Sequence, residues 1–168
     1  MKLYLAGPDV FRPDVLDWAA AAREICQRYG YEPLLPVDHN EDQPEAIFQA
    51  NIELIRKAQV VVANLDPFRG AEPDAGTAFE LGYAYALGKK VGGFVSRFDA
   101  VAQRVEAAMG PTRLTTENRL VDRQGLAIED FGLPCNLMLA VPLLIVEGGL
   151  EDCLKAIRSG AAGNRVRG

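Results

Sequence analysis

The chain has 168 residues, 49% of them hydrophobic, enough for one globular domain that buries about two thirds of its unfolded surface. Eighteen Lys and Arg against 23 Asp and Glu leave a net charge of -5, which argues against a nucleic-acid polymer as partner and for a small neutral or cationic ligand. The three cysteines, Cys26, Cys135 and Cys153, show neither metal spacing nor a Cys-x-x-Cys pair, so reduced thiols and a cytoplasmic location are expected. No basic region precedes a long apolar run at the N-terminus and no stretch of about 18 apolar residues occurs, so neither export nor a membrane span is expected.

Lys2 to Ala6 is a short apolar run closed by Gly7-Pro8, which predicts a buried first strand feeding a turn. From Pro13 to Tyr29 the residues Val15, Leu16, Ala19, Ala22, Ile25, Cys26 and Tyr29 follow helical spacing, and Gly30 supplies the stop. Glu32 to Leu35 reads as a second strand and Pro36 to Pro44 as a polar loop holding the single histidine, His39, for which solvation is the simplest expectation. Ile47, Phe48, Ile52, Ile55 and Ala58 form the stripe of a helix over 45–58, and Val60 to Leu65 is an apolar run suited to a central strand.

After the loop 66–74 comes a helix over 75–88 closed by Gly88, then a strand over 90–95 and a helix over 97–109. Residues 110–130 are irregular, with Asp122 to Gly125 marking a turn between short extended pieces. Asn136 is placed to cap a helix entering the apolar run that ends at Val146, and 151–157 makes a last helix. The domain is expected to span 1–158, with 159–168 a fraying tail.

Strands alternating with helices at this spacing predict an α/β fold, a doubly wound parallel sheet with helices on both faces. Ligands of such sheets bind beyond the carboxyl ends of the strands. The loops after the first and third strands, 7–12 and 66–74, are therefore the expected walls of a site, and they carry Asp9, Phe11, Arg12, Asp66, Phe68, Arg69, Glu72 and Asp74. Neither contains a dinucleotide or triphosphate glycine fingerprint, so no cofactor is expected, and no metal-ligand cluster is evident.

Within the segment from Glu72 to Gly88, Pro73 and Asp74 form a helix start with Asp74 as N-cap. Helical side chains lean toward the N-terminus, so Glu80 points over positions 76 and 77, and Gly76 leaves its carboxylate uncovered on that side. A substrate arriving from the loop could then meet a nucleophile, and the positive helix end would favour its ionised form.

The pieces Tyr4 to Pro8, Val61 to Asp66, Glu72 to Gly82 and Asp130 to Met138, in this order, resemble the nucleoside 2-deoxyribosyltransferase family over roughly residues 3–140. The resemblance implies cleavage of the N-glycosidic bond of a 2'-deoxynucleoside, covalent retention of the sugar, and its passage to another base. By motif, Glu80 takes the nucleophile's place, Tyr4 that of a hydroxyl orienting it, and Asp74 that of a carboxylate meeting the base and helping to protonate it. Asn51 falls where relatives place an Asp or Asn near the base, and Phe11 and Phe68 are candidates to cover it. Asn136 and Met138 match a segment that in relatives reaches a neighbouring subunit's site, which implies a homo-oligomer. The partners expected are deoxynucleosides and free nucleobases. Two rival readings use the same residues: a hydrolase of 2'-deoxynucleoside 5'-monophosphates, and a non-catalytic nucleotide-binding protein.

Overall fold

The computed structural model of the chain describes residues 1–160; the rest of the tail expected from 159, residues 161–168, lies outside the described residues. Strand β1 (Lys2–Ala6) is followed by a 3-10 turn at Pro8–Phe11 and by α1 (Val15–Arg28), β2 (Glu32–Leu34), a second 3-10 turn at Pro36–Asp38, α2 (Pro44–Lys57) and β3 (Val60–Asn64). Then come α3 (Ala75–Ala86), β4 (Lys90–Val95), α4 (Val101–Met109), a two-stranded hairpin of β5 (Arg113–Leu114) and β6 (Leu120–Val121), α5 (Leu137–Ala140), β7 (Leu144–Glu147) and α6 (Leu150–Ser159). Gly160 closes α6 in the left-handed conformation.

The main sheet has the order β2-β1-β3-β4-β7 with every pair parallel, the α/β architecture expected from the alternation of elements. Successive strand residues point to opposite faces, and both faces are covered, so the strands read as unbroken apolar runs. Leu3, Leu5, Val60 and Val62 pack with α1 and α6 through Ala19, Ala22, Cys26, Cys153, Leu154 and Ile157. Tyr4, Ala6, Val61 and Ala63 pack on the other side against Ile55, Ala58, Leu81 and Ala84 of α2, its C-terminal end and α3. The chain leaves β1 for β2 on one side and resumes at β3 on the other, so the loops after β1 and β3 diverge and open a crevice at the carboxyl edge.

Four expectations change. Leu16, placed on the inner stripe of α1 by spacing, is 75% exposed. The buried stripe runs through Ala19, Ala22 and Cys26, and Leu16 stands about 120° around the helix from Ala22. Phe48 of the α2 stripe is also exposed, and packs on the surface against Phe79 of α3 with ring centroids 5.9 Å apart. The helix expected from 97 begins only at Val101, because the Phe98 N–H is donated to the Glu147 carboxylate at 2.9 Å and the Gln103 side chain accepts the Ala100 N–H at 2.9 Å. Finally, the apolar run after Asn136 is not one helix: α5 stops at Ala140, and Leu144–Glu147 becomes the edge strand paired to β4. Pro142 has no N–H to continue the helical ladder, and the run beyond it covers the open edge of β4.

Strand β4 carries two adjacent glycines, and the second is required by packing. A Cβ on Gly93 would stand 2.4 Å from Cδ1 and 3.0 Å from Cγ of Leu65, which is fully buried and cannot swing into solvent. Gly93→Ala should therefore destabilise the fold by about 1–3 kcal/mol through overpacking, lowering the melting temperature by roughly 2–4 °C per kcal/mol for a chain of this size. Thermal unfolding followed by circular dichroism checks it; an unchanged melting temperature would show that Leu65 relaxes freely.

Candidate active site

The crevice is organised by one contact between sheet and helix. Tyr4, in the middle of β1 and fully buried, donates its hydroxyl proton to Oε1 of Glu80 at 2.6 Å. Glu80 lies in the second turn of α3, whose start is fixed by Asp74: its Oδ2 accepts from the Thr77 N–H at 3.0 Å and from Thr77 Oγ1 at 3.2 Å. The N-cap expected at Asp74 is thus present. Both hydrogen bonds fall on Oδ2, and Oδ1 has no partner among the described residues. Gly76 keeps the turn open: a Cβ there would come within 3.0 Å of Asp74 Oδ2.

Burial pushes the Glu80 carboxyl up to about 7; the Tyr4 hydrogen bond pulls it down and the nearby Asp74 charge pushes it further up. The helix end was expected to favour the ionised form, but desolvation is the larger effect here. Tyr4 is held well above the ordinary phenol range, first by burial and then by the Glu80 charge, so it stays a proton donor. The result is a carboxylate that ionises near neutrality and keeps one oxygen free of the tyrosine.

A cavity of about 480 Å³ opens onto Glu80, walled by Gly7, Val10 and Phe11 after β1, by Pro36, Val37, His39 and Glu41 after β2, by Ile47 and Asn51 of α2, and by Asp74, Gly76 and Thr77. The loop after β1 is shaped by Gly7, whose φ of 144° is in the region that favours glycine and whose Cβ would sit 2.9 Å from Asn64 Cβ. Asp9, buried beneath it, accepts from Asn64 Nδ2 at 3.0 Å and is 3.8 Å from the Arg12 guanidinium.

Of the residues singled out in the sequence, Glu80, Asp74, Gly76, Phe11 and Asn51 line this cavity, and Tyr4 stands behind it, bonded to Glu80. Four others do not line it. Phe68 stacks on Phe11 at 5.3 Å and borders a shallow hollow with Pro8, Asp9 and Arg12, with Arg69 lying over both rings. The Asp66 carboxylate accepts from the N–H and hydroxyl of Ser96 at 2.7 and 2.9 Å, which ties the β3 loop to the end of β4. Asn136 caps α5 by accepting from the Met138 N–H, donates its amide to Glu129 at 2.8 Å and its own backbone N–H to Glu72 at 3.1 Å. Met138, 75% exposed, borders a separate apolar hollow of about 550 Å³ with Leu81, Tyr85 and Leu143.

His39, expected to be solvated, is instead half-buried in the cavity wall, with Nε2 3.2 Å from Asn51 Oδ1. Thr77, which shares the Asp74 cap, and Asn64, which holds Asp9, were not singled out; neither has a sequence signal beyond a polar residue beside a strand or helix end. Among the described residues no three His, Cys, Asp or Glu side chains converge to hold a metal ion, and no helix is long and apolar enough to cross a membrane. Cys26, Cys135 and Cys153 are free, buried and away from the cavity, and burial pushes their thiols up to about 11, 12 and 12.

Known proteins resemble the chain in sequence and in fold. A family model described as nucleoside 2-deoxyribosyltransferase matches residues 3–138. A 2-deoxyribosyltransferase from Leishmania mexicana is 32% identical with a TM-score of 0.77, covering 96% of this chain and 99% of that one. A CMP N-glycosidase from Clostridium botulinum, 12% identical with a TM-score of 0.51 over 95% of this chain and 99% of its own, shares the fold. An uncharacterised Schizosaccharomyces pombe protein is 36% identical over 104 residues, which are 56% of this chain and 49% of that protein, so the chain spans about half the length of that curated relative. The match over most of the chain, with an α/β sheet that superposes on a deoxyribosyltransferase along its whole length, shows that the chain belongs to the nucleoside 2-deoxyribosyltransferase family.

Proposed function

We propose that the protein moves 2-deoxyribose from one nucleobase to another through a covalent ester on Glu80. The observation that carries this reading is the half-sequestered Glu80 carboxylate, bonded to Tyr4 through one oxygen and facing a cavity large enough for a nucleoside. The free oxygen attacks C1', the C1'–N bond breaks, and the bonding pair leaves with the ring nitrogen, which takes a proton from Oδ1 of Asp74; the incoming base returns a proton to the same oxygen as its ring nitrogen bonds to C1'. A second base then attacks C1' from the vacated side, the ester bond breaks, and its electrons return to Glu80. Two inversions give net retention.

Each neighbour has a part. Tyr4 holds the carboxylate in the attacking rotamer and steadies its returning charge when the ester breaks. Asp74 anchors the helix through Oδ2 and presents Oδ1 to the base. Phe11, Val37 and Ile47 supply apolar surface for a flat ring. Water instead of a base at the second step would give hydrolysis. A 5'-phosphate on the substrate is disfavoured because Arg12, the cation of the first loop, is already engaged by Asp14 at 2.9 Å and faces Asp9. Asn136 and Met138 stand apart from the cavity of their own chain, which fits a homo-oligomer in which α5 completes a neighbour's site; a fully active monomer in sedimentation would remove that part of the reading.

Incubation with deoxyinosine and free adenine should yield deoxyadenosine, and Glu80→Ala should lower that exchange at least about a thousandfold. Deoxyribose released at the same rate with or without adenine would instead make the enzyme a hydrolase, and full exchange by the variant would contradict the nucleophile assignment.

The pH profile follows from the burial of Glu80. The attacking form is ionised, so kcat/KM should fall as pH drops through about 7. The Tyr4 hydroxyl favours the ionised form, so Tyr4→Phe should move this acid limb upward. A hydrogen bond to a charged group contributes about 1.5–3 kcal/mol, which corresponds to a shift of about one pH unit or more. A limb that stays in place in Tyr4→Phe would separate it from Glu80.

A further inference from the structure

We infer that His39 is a positioning residue that orients the Asn51 amide so that the cavity selects a 6-oxopurine over a 6-aminopurine. The inference rests on the reading of this cavity as a nucleobase site. His39 follows the short turn Pro36–Asp38, whose Asp38 accepts from the Leu35 N–H at 2.8 Å and pairs with Arg23 of α1. The ring is thus carried by an anchored segment and set against Asn51 in the third turn of α2.

The pairing fixes which atom of each side chain is donor. His39 Nε2 lies 3.2 Å from Asn51 Oδ1, and His39 Nδ1 is buried with no hydrogen-bond partner. A neutral imidazole has one N–H and one lone pair. With Nε2 protonated, Nε2–H donates to Oδ1 and the orphan at Nδ1 is a lone pair. With the proton on Nδ1, the amide would have to turn round to donate to Nε2, and the orphan would be a buried N–H, the rarer and more costly kind. The first arrangement is therefore favoured, and it commits Oδ1 to the histidine while the Nδ2 hydrogens have no partner among the described residues.

A purine edge meeting Asn51 then meets donors. Hypoxanthine and guanine present O6 and N7, two adjacent acceptors, whereas adenine presents an amino donor beside N7. An unconstrained asparagine satisfies adenine by offering its carbonyl to the amino group and its NH2 to N7. Here the carbonyl is turned to His39, and the acceptor edge is the better match. His39 itself touches no reacting atom in this account; it acts through Asn51.

Two substitutions separate positioning from packing. His39→Gln keeps a side-chain N–H for Asn51 Oδ1, while His39→Leu fills similar space without one, and melting curves establish that both are folded. Binding of hypoxanthine and of adenine to each protein is titrated by calorimetry, and exchange is run in both directions between deoxyinosine plus adenine and deoxyadenosine plus hypoxanthine. Wild type should bind hypoxanthine about tenfold or more tighter than adenine, His39→Leu should bring the ratio near one by weakening hypoxanthine, and His39→Gln should restore most of it. In exchange, the loss should appear in the acceptor KM for hypoxanthine and not in kcat. Equal binding of the two bases by wild type, an unchanged ratio in His39→Leu, or a Gln variant as unselective as the Leu variant would each overturn the inference. The expected binding ratios without any base exchange would uphold it and defeat the transferase reading instead.

Discussion

The hydrogen bond from Tyr4 to Glu80 joins the centre of the sheet to the helix that covers it, and most of the site depends on that bond being buried. Tyr4 has no solvent contact, so its hydroxyl must find its partner inside the protein, and Glu80 is the acceptor within reach. The same burial raises the carboxyl to about 7, so that it changes charge near neutral pH and its anion is not strongly stabilised. A carboxylate in water would hold its charge too comfortably to attack a sugar carbon readily. One that is partly desolvated, with a single hydrogen bond to fix its rotamer, is more reactive and already aimed.

Around this bond the loops at the carboxyl edge are tied to one another by side chains. Asn64 at the end of β3 holds Asp9 of the first loop, Asp66 is fixed to Ser96 after β4, and Glu72 holds the backbone of Asn136 ahead of α5. Loops after three strands are therefore braced laterally before any ligand arrives. Preorganisation of this kind is what a displacement at carbon requires, since the nucleophile and the base must be held to within a fraction of an ångström.

The sequence carried the fold because each element is marked locally. Strands buried on both faces appear as short apolar runs, helices keep their spacing, and Gly or Pro stands at most junctions. It also carried the α3 start, since Pro73, Asp74 and Gly76 are adjacent in the chain and their roles are local. What could not be read depends on distant partners. The run after Asn136 is apolar in a way that suits helix or strand, and the open edge of β4 decides between them. Asp66 sits in the expected loop, but Ser96, thirty residues on, sets where its carboxylate points. His39 looked like a solvated loop residue because its partner Asn51 and the burial of its ring arise only when α2 folds back across the crevice.

The central claim is that Glu80 becomes covalently attached to the sugar, and the most direct measurement is the mass of the protein during turnover. The enzyme is mixed with excess deoxyinosine, quenched in acid within the first turnover, and examined as intact protein and as peptides. The account predicts a fraction of the chain heavier by one deoxyribosyl group, the addition mapping to Glu80 and disappearing when adenine is added before the quench. Protein of unmodified mass at every time point while exchange proceeds at full rate, or an adduct on another side chain, would contradict it.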